Sequence, residues 1–182
     1  MKKVLVPLAD GFEEIEAITV IDVLRRAGVE VTVAGTHSGP IEASRGIRVT
    51  ADSTLDGIDP AGFDMIVLPG GKEGVEKLKD HPGMLPLLGE FLARGKYVGA
   101  ICAAPSLLVS AGLICGKQVT SHPSVKSQVA SSTLYSNERV VTDGKIVTSR
   151  GPGTAMEFSL KLVEILVGKE KVSELKEAML AL

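Results

Sequence analysis

The sequence predicts one α/β domain over residues 1–182: a flavodoxin-like sandwich, with a mainly parallel sheet and helices on both faces. Three features carry that prediction. Short apolar runs alternate with longer amphipathic segments along the whole chain. Runs such as MIVLP (65–69) and YVGAI (97–101) are apolar throughout rather than alternating, as strands buried on both faces must be. The amphipathic segments stop at glycine, as at Gly28 and Gly95.

Taken in order, KVLVPL (3–8) is a first strand and EEIEAITVIDVLRRAG (13–28) a helix. VEVTVAG (29–35) is the second strand. GPIEASRGIRVTADSTLDGI (39–58) reads as hairpin or loop, with alternation from Ile47 to Ala51. FDMIVLPGG (63–71) is a strand ending in a glycine pair, and HPGMLPLLGEFLARG (81–95) a helix. KYVGAI (96–101) is a strand and APSLLVSAG (104–112) a helix. RVVTDGKIVTSRG (139–151) reads as a hairpin turning at Asp143-Gly144. GTAMEFSLKLVEILVG (153–168) and EKVSELKEAMLAL (170–182) are closing helices, and neither a linker nor a repeat interrupts the chain.

Composition narrows the function. Hydrophobic residues make up 45% and charged residues 23%, enough for a packed core. A net charge of -2 without a basic block, and no tryptophan, give no purchase for nucleic acid or an anionic membrane. Mean hydropathy is +0.25, yet no apolar run approaches the roughly 18 residues of a membrane span. The opening MKKVLVPLADGFEE reads as a strand rather than a signal peptide, because acidic residues follow a short apolar run. Two cysteines make no disulfide framework, and no His/Cys cluster suggests a metal, so a reducing cytoplasm and a cofactor-free protein are expected.

Ligands of open parallel sheets bind at the carboxyl ends of the strands. There the chain places ADGFEE (9–14), LPGGKEG (68–74), ICAAPS (101–106) and SRGPGT (149–154). Cys102 follows its strand directly, between the small residues Ala100, Ala103 and Ala104, as in a nucleophile elbow. The following helix N-terminus should favour a thiolate, below the ordinary thiol pKa of about 8.5. The competing reading is a core thiol at a strand end. Glu13, Glu14 and Glu16 share the first turn of the first helix, and periodicity does not choose among them. His37 and His81 lie in turn-like, exposed settings. His122, in SHPSVK, either reaches Cys102 as a general acid or base or caps its own turn. Gly70 and Gly71 allow close approach of backbone N–H groups, as in an oxyanion hole. Neither glycine loop matches a nucleotide-binding fingerprint.

Together GFEEIEA, VLPGG, AICAAP, SHP and TSRGPGT resemble the ThiJ/PfpI superfamily, in order over nearly the whole chain. The resemblance is greatest to the branch of the human Parkinson's-disease-associated protein deglycase and its bacterial relatives. It implies that Cys102 is the reactive, oxidation-prone nucleophile and that Glu16 is the acid bonded to it. It also implies a nearby His122, an oxyanion pocket at the N–H groups of Gly71 and Ala103, and a pocket wall at Pro152. Arg45 and Arg150 match arginines near the site and the interface of a homodimer. The implied activity is attack on small reactive carbonyl compounds or glycated adducts. The implied alternative is a redox sensor or chaperone whose Cys102 oxidises to a sulfinate. Ala103 stands where the protease-like branch has a histidine after its cysteine, which argues against a peptidase. Cys115 has no counterpart and is read as structural.

Overall fold

β1 (Lys3–Leu8) is buried from Val4 onward, as an all-apolar run must be when helices cover both faces of its sheet. The structure, a computed structural model, describes residues 1–181. From β1 the chain runs through helix α1 (Glu14–Arg26) to β2 (Glu30–Gly35), which pairs parallel to β1. A small antiparallel hairpin follows, β3 (Pro40–Glu42) with β4 (Arg48–Thr50), and β5 (Ser53–Thr54) then joins the sheet edge beside β2. The chain crosses to the other side of β1 for β6 (Met65–Leu68), α2 (Lys72–Asp80), α3 (Met84–Ala93), β7 (Tyr97–Ile101) and α4 (Pro105–Ser110). An outlying pair, β8 (Gln118–Val119) and β9 (Leu134–Tyr135), flanks the short α5 (Lys126–Ala130). The chain closes with β10 (Val140–Asp143), β11 (Ile146–Ser149), α6 (Ala155–Leu166) and α7 (Lys169–Met179).

The main sheet has the order β10-β11-β7-β6-β1-β2-β5 and is parallel except for the β10–β11 pair. Since β2 lies on one side of β1 and β6 on the other, the winding reverses between β1 and β6. The crevice at the carboxyl ends of these strands is where such sheets bind ligands.

Alternation persists inside the apolar strands. Val4, Val6, Leu8, Met65 and Val67 pack with Val20 and Leu24 of α1 and Phe158 and Leu162 of α6. Leu5, Ile66, Leu68 and Val98 pack on the opposite face with Leu88, Phe91, Leu107 and Leu108 of α3 and α4. Gly99 leaves room for Phe158, whose ring would lie 3.1 Å from a Cβ there. No helix among the described residues is long and apolar enough to cross a membrane.

Four expectations are corrected. Helix α2 lies in a segment the sequence left unassigned, because its buried side chains are only Val75 and Leu78 among charged neighbours. The last hairpin turns at Gly144-Lys145, not Asp143-Gly144, since Asp143 pairs with Ile146. Gly144 has φ +59°, the left-handed first position that primed hairpin turns demand. His81 is tucked in, with a side chain 15% exposed. Cys115 is exposed rather than structural, because the adjacent Ile114 takes the buried place. Leu182, the last residue read as helical, lies outside the described residues.

Candidate active site

β7 ends at Ile101, and Cys102 turns the chain toward α4 with φ +66°, a left-handed conformation that a side-chain-bearing residue rarely holds. Such a residue costs about 1–3 kcal/mol and persists where its surroundings over-determine it. Here the Cys102 N–H donates to the Ser149 carbonyl at 2.9 Å, and the Cys102 carbonyl accepts the His122 N–H at 2.8 Å. The half-buried side chain packs against the apolar residues of both core layers.

The three acids of the first turn separate in space. Glu13 caps α1, its carboxylate accepting the Glu16 N–H at 2.8 Å. Glu14 turns to the β3–β4 hairpin and accepts from the Ser44 hydroxyl and the Arg45 N–H, each at 2.8 Å. Glu16 is 0% exposed, and its Oε2 accepts the Gly70 N–H at 2.7 Å. Its Oε1 is buried without a hydrogen-bond partner among the described residues, and the carboxyl lies beside the Cys102 thiol, to which its titration is coupled.

Burial pushes the Glu16 carboxyl up from 4.5 to about 7, against the opposing pull of the Gly70 N–H and the thiol. Burial, reinforced by the Glu16 charge, pushes the Cys102 thiol up from 9.0 to about 12, although the Gly71 and Ala103 N–H groups draw it down. The expected lowering of the thiol is therefore corrected. Lost hydration and an anionic neighbour outweigh two peptide donors and a helix of only 6 residues. The pair titrates as a unit, and with Glu16 ionised the shared proton stays on sulfur.

Gly70 also departs from expectation. Its N–H is spent on Glu16, so it offers substrate no donor. A Cβ at Gly70 would lie 2.6 Å from Cys102 Cβ and 2.7 Å from Glu16 Oε2, so its lack of a side chain makes room for the pair. The N–H groups of Gly71 and Ala103 act on the thiol only by drawing its pKa down.

The imidazole of His122 contacts Ser124 through Nδ1, and it is the His122 backbone that bonds Cys102. Arg45 directs its guanidinium to the Ser44 carbonyl at 3.2 Å, and Arg150 to the Asn137 carbonyl at 3.0 Å. Neither is brought to the thiol. Pro152 opens a 3-10 turn just past β11. Thr154, missed in the sequence, organises that loop: its hydroxyl oxygen accepts the Arg150 and Gly151 N–H groups at 3.2 and 3.1 Å. Its signal was a threonine three residues beyond Gly151, positioned to close a turn.

A family model described as the DJ-1/PfpI family matches residues 2–165. The chain belongs to the DJ-1/PfpI family. Among its DJ-1/PfpI relatives, protein dj-1beta of Drosophila melanogaster is 44% identical over 98% of this chain and 97% of its own. The crystal structure of that fly DJ-1beta superposes with a TM-score of 0.96 at 43% identity, covering 100% of this chain and 98% of the other. The glutathione-independent glyoxalase DJR-1.2 of Caenorhabditis elegans is 39% identical over 94% of this chain and 91% of its own. Toxoplasma gondii DJ-1, in an oxidized form, has a TM-score of 0.93 at 39% identity over 99% of this chain and 98% of its own.

Proposed function

We propose that this DJ-1/PfpI protein is a cofactor-independent cysteine enzyme of glyoxalase type acting on 2-oxoaldehydes, with Cys102 as nucleophile and Glu16 as general base. One observation carries the proposal: a buried carboxyl raised to about 7 against a thiol whose pKa two peptide N–H groups draw down. A base titrating near the operating pH is the efficient one. Glu16 takes the thiol proton as sulfur attacks the aldehyde carbon, and the C=O electron pair moves onto oxygen beside the Gly71 and Ala103 donors. Glu16 then returns the proton, giving a hemithioacetal. Ionised again, it removes the hydrogen from the former aldehyde carbon, and the electron pair shifts to form an enediol with the neighbouring carbonyl. The hydroxyl on the former aldehyde carbon gives up its proton to Glu16 as one is delivered to that neighbouring carbon, leaving a thioester of a 2-hydroxy acid. Water breaks the C–S bond, releasing the acid and restoring the thiol. Atoms and electrons balance with water as the only co-reactant. The same attack on a glycated amine adduct is a deglycase reaction.

The test is methylglyoxal consumption by purified protein in a reducing buffer. We expect a 2-hydroxy acid to form in step with methylglyoxal loss, and kcat/KM to rise with pH through about 7 as Glu16 ionises. Turnover no greater than that of Cys102→Ser would sink the enzyme reading.

A second reading has its own support in the oxidized Toxoplasma relative and in the two peptide N–H groups that draw the thiol pKa down. In it, two equivalents of peroxide carry Cys102 to a sulfinate, each reduced to water, and a protonated Glu16 donates to a sulfinate oxygen. Peroxide that adds no oxygen mass at Cys102 would exclude this sensor. The proposal also includes a homodimer. Ile15 and Ile18 on α1 are 55% and 42% exposed, and Ile47, on the hairpin that Glu14 ties to α1, is 52% exposed.

A further inference from the structure

The backbone of His122 holds the carbonyl of Cys102, and the function of its ring is decided two residues further on. The Ser124 N–H donates to His122 Nδ1 at 3.2 Å, and the Ser124 hydroxyl lies 2.8 Å from the same nitrogen. A peptide N–H can only donate. Nδ1 must therefore present its lone pair, and the hydroxyl, facing a nitrogen with no proton to give, donates to it as well. In the neutral ring the proton then resides on Nε2.

Nε2 has no protein partner among the described residues. Its ring neighbour Cδ2 lies 3.5 Å from where a Cβ on Gly151 would stand. Gly151 closely follows Ser149, whose carbonyl holds the Cys102 N–H. The imidazole thus stands on the β11 side of Cys102, whereas Glu16 reaches it from the β6 side through Gly70.

We propose that Ser124 is a positioning residue that locks His122 as an Nε2–H donor to the second oxygen of a 1,2-dicarbonyl held on Cys102. The ring then takes no proton from the thiol, and Glu16 alone is the base. A donor opposite the carboxyl suits a substrate with an acceptor oxygen on the carbon next to the aldehyde, which a simple aldehyde lacks. The donor role rests on the carbonyl activity proposed above; the tautomer does not.

The experiment is nitrogen NMR of histidine-labelled full-length protein at mildly alkaline pH, run beside methylglyoxal kinetics. Wild-type His122 should show a protonated Nε2 and a bare Nδ1. Ser124→Ala removes the closer donor and leaves only the longer peptide N–H contact at 3.2 Å, so a measurable share of the rings should carry the proton on Nδ1 instead. Its kcat should fall about five-fold with KM unchanged, the loss of one hydrogen bond that strengthens as charge builds on the second oxygen. Ser124→Thr should restore both readouts. A proton on Nδ1 in the wild type, or a Ser124→Ala spectrum identical to wild type, overturns the lock. A mixed spectrum with unchanged kcat overturns the donor role. If the wild type turns over no dicarbonyl, the carbonyl reading falls while the spectra still decide the tautomer.

Discussion

A buried carboxyl with one N–H partner holds its proton more tightly than an exposed one, and Glu16 is such a group. Its folded pKa, about 7, lies above its ordinary 4.5, so across that window the folded state binds a proton that the unfolded chain has lost. Stability therefore falls as pH rises through the window, by on the order of 3 kcal/mol. Glu14 has the opposite sign. Burial alone would raise it, but its hydrogen bonds to backbone, to Ser44 and to Arg45 lower it, so its contribution is lost on acidification. Glu16→Gln should remove the loss between about pH 5 and about pH 8 while leaving the acid limb intact, as read from urea midpoints with unchanged slopes. Equal losses in both proteins would mean that another group titrates. Which of the three acids behaves this way was not legible from spacing. Each heads an apolar stripe of α1, and only contact with Gly70, far along the chain, distinguishes Glu16.

At the scale of elements, the two loops of the switch point meet backbone against backbone. A Cβ on Gly71 would lie 2.2 Å from the Gly11 carbonyl oxygen, and one on Gly74, in the first turn of α2, 2.6 Å from the Phe12 nitrogen. This contact fixes the backbone at Gly71, whose N–H is the proposed oxyanion donor. Gly74→Ala sets two effects against each other: alanine favours the helix by about 1 kcal/mol, while overpacking against immovable backbone costs about 1–3 kcal/mol. The clash should win, lowering the urea midpoint and slowing alkylation of Cys102 by iodoacetamide. A raised midpoint would show that α2 shifts freely and that its packing does not hold Gly71. Helix α2 itself was hard to read, because its evidence was a Glu73–Lys77 pair, 2.8 Å apart, and two apolar residues rather than a stripe.

For the molecule as a whole, exposed isoleucines beside the hairpin predict self-association. Ile18→Glu should turn a dimer into a monomer by sedimentation while preserving the fold by circular dichroism. A wild-type monomer at micromolar concentration would remove the homodimer from the proposal. The layers of this protein were readable along the chain, because strands buried on both faces and glycine-stopped helices are local patterns with local causes. So was Cys102 at the end of its strand, since a strand-to-helix junction is a matter of neighbours in sequence. Only the packed structure decided that Gly70 clears space instead of donating to substrate, that Cys115 faces solvent, and that the thiol is raised rather than lowered. Each of these depends on desolvation or on close approach between residues far apart in the chain, and neither quantity exists until the sheet has brought β1, β6, β7 and β11 side by side.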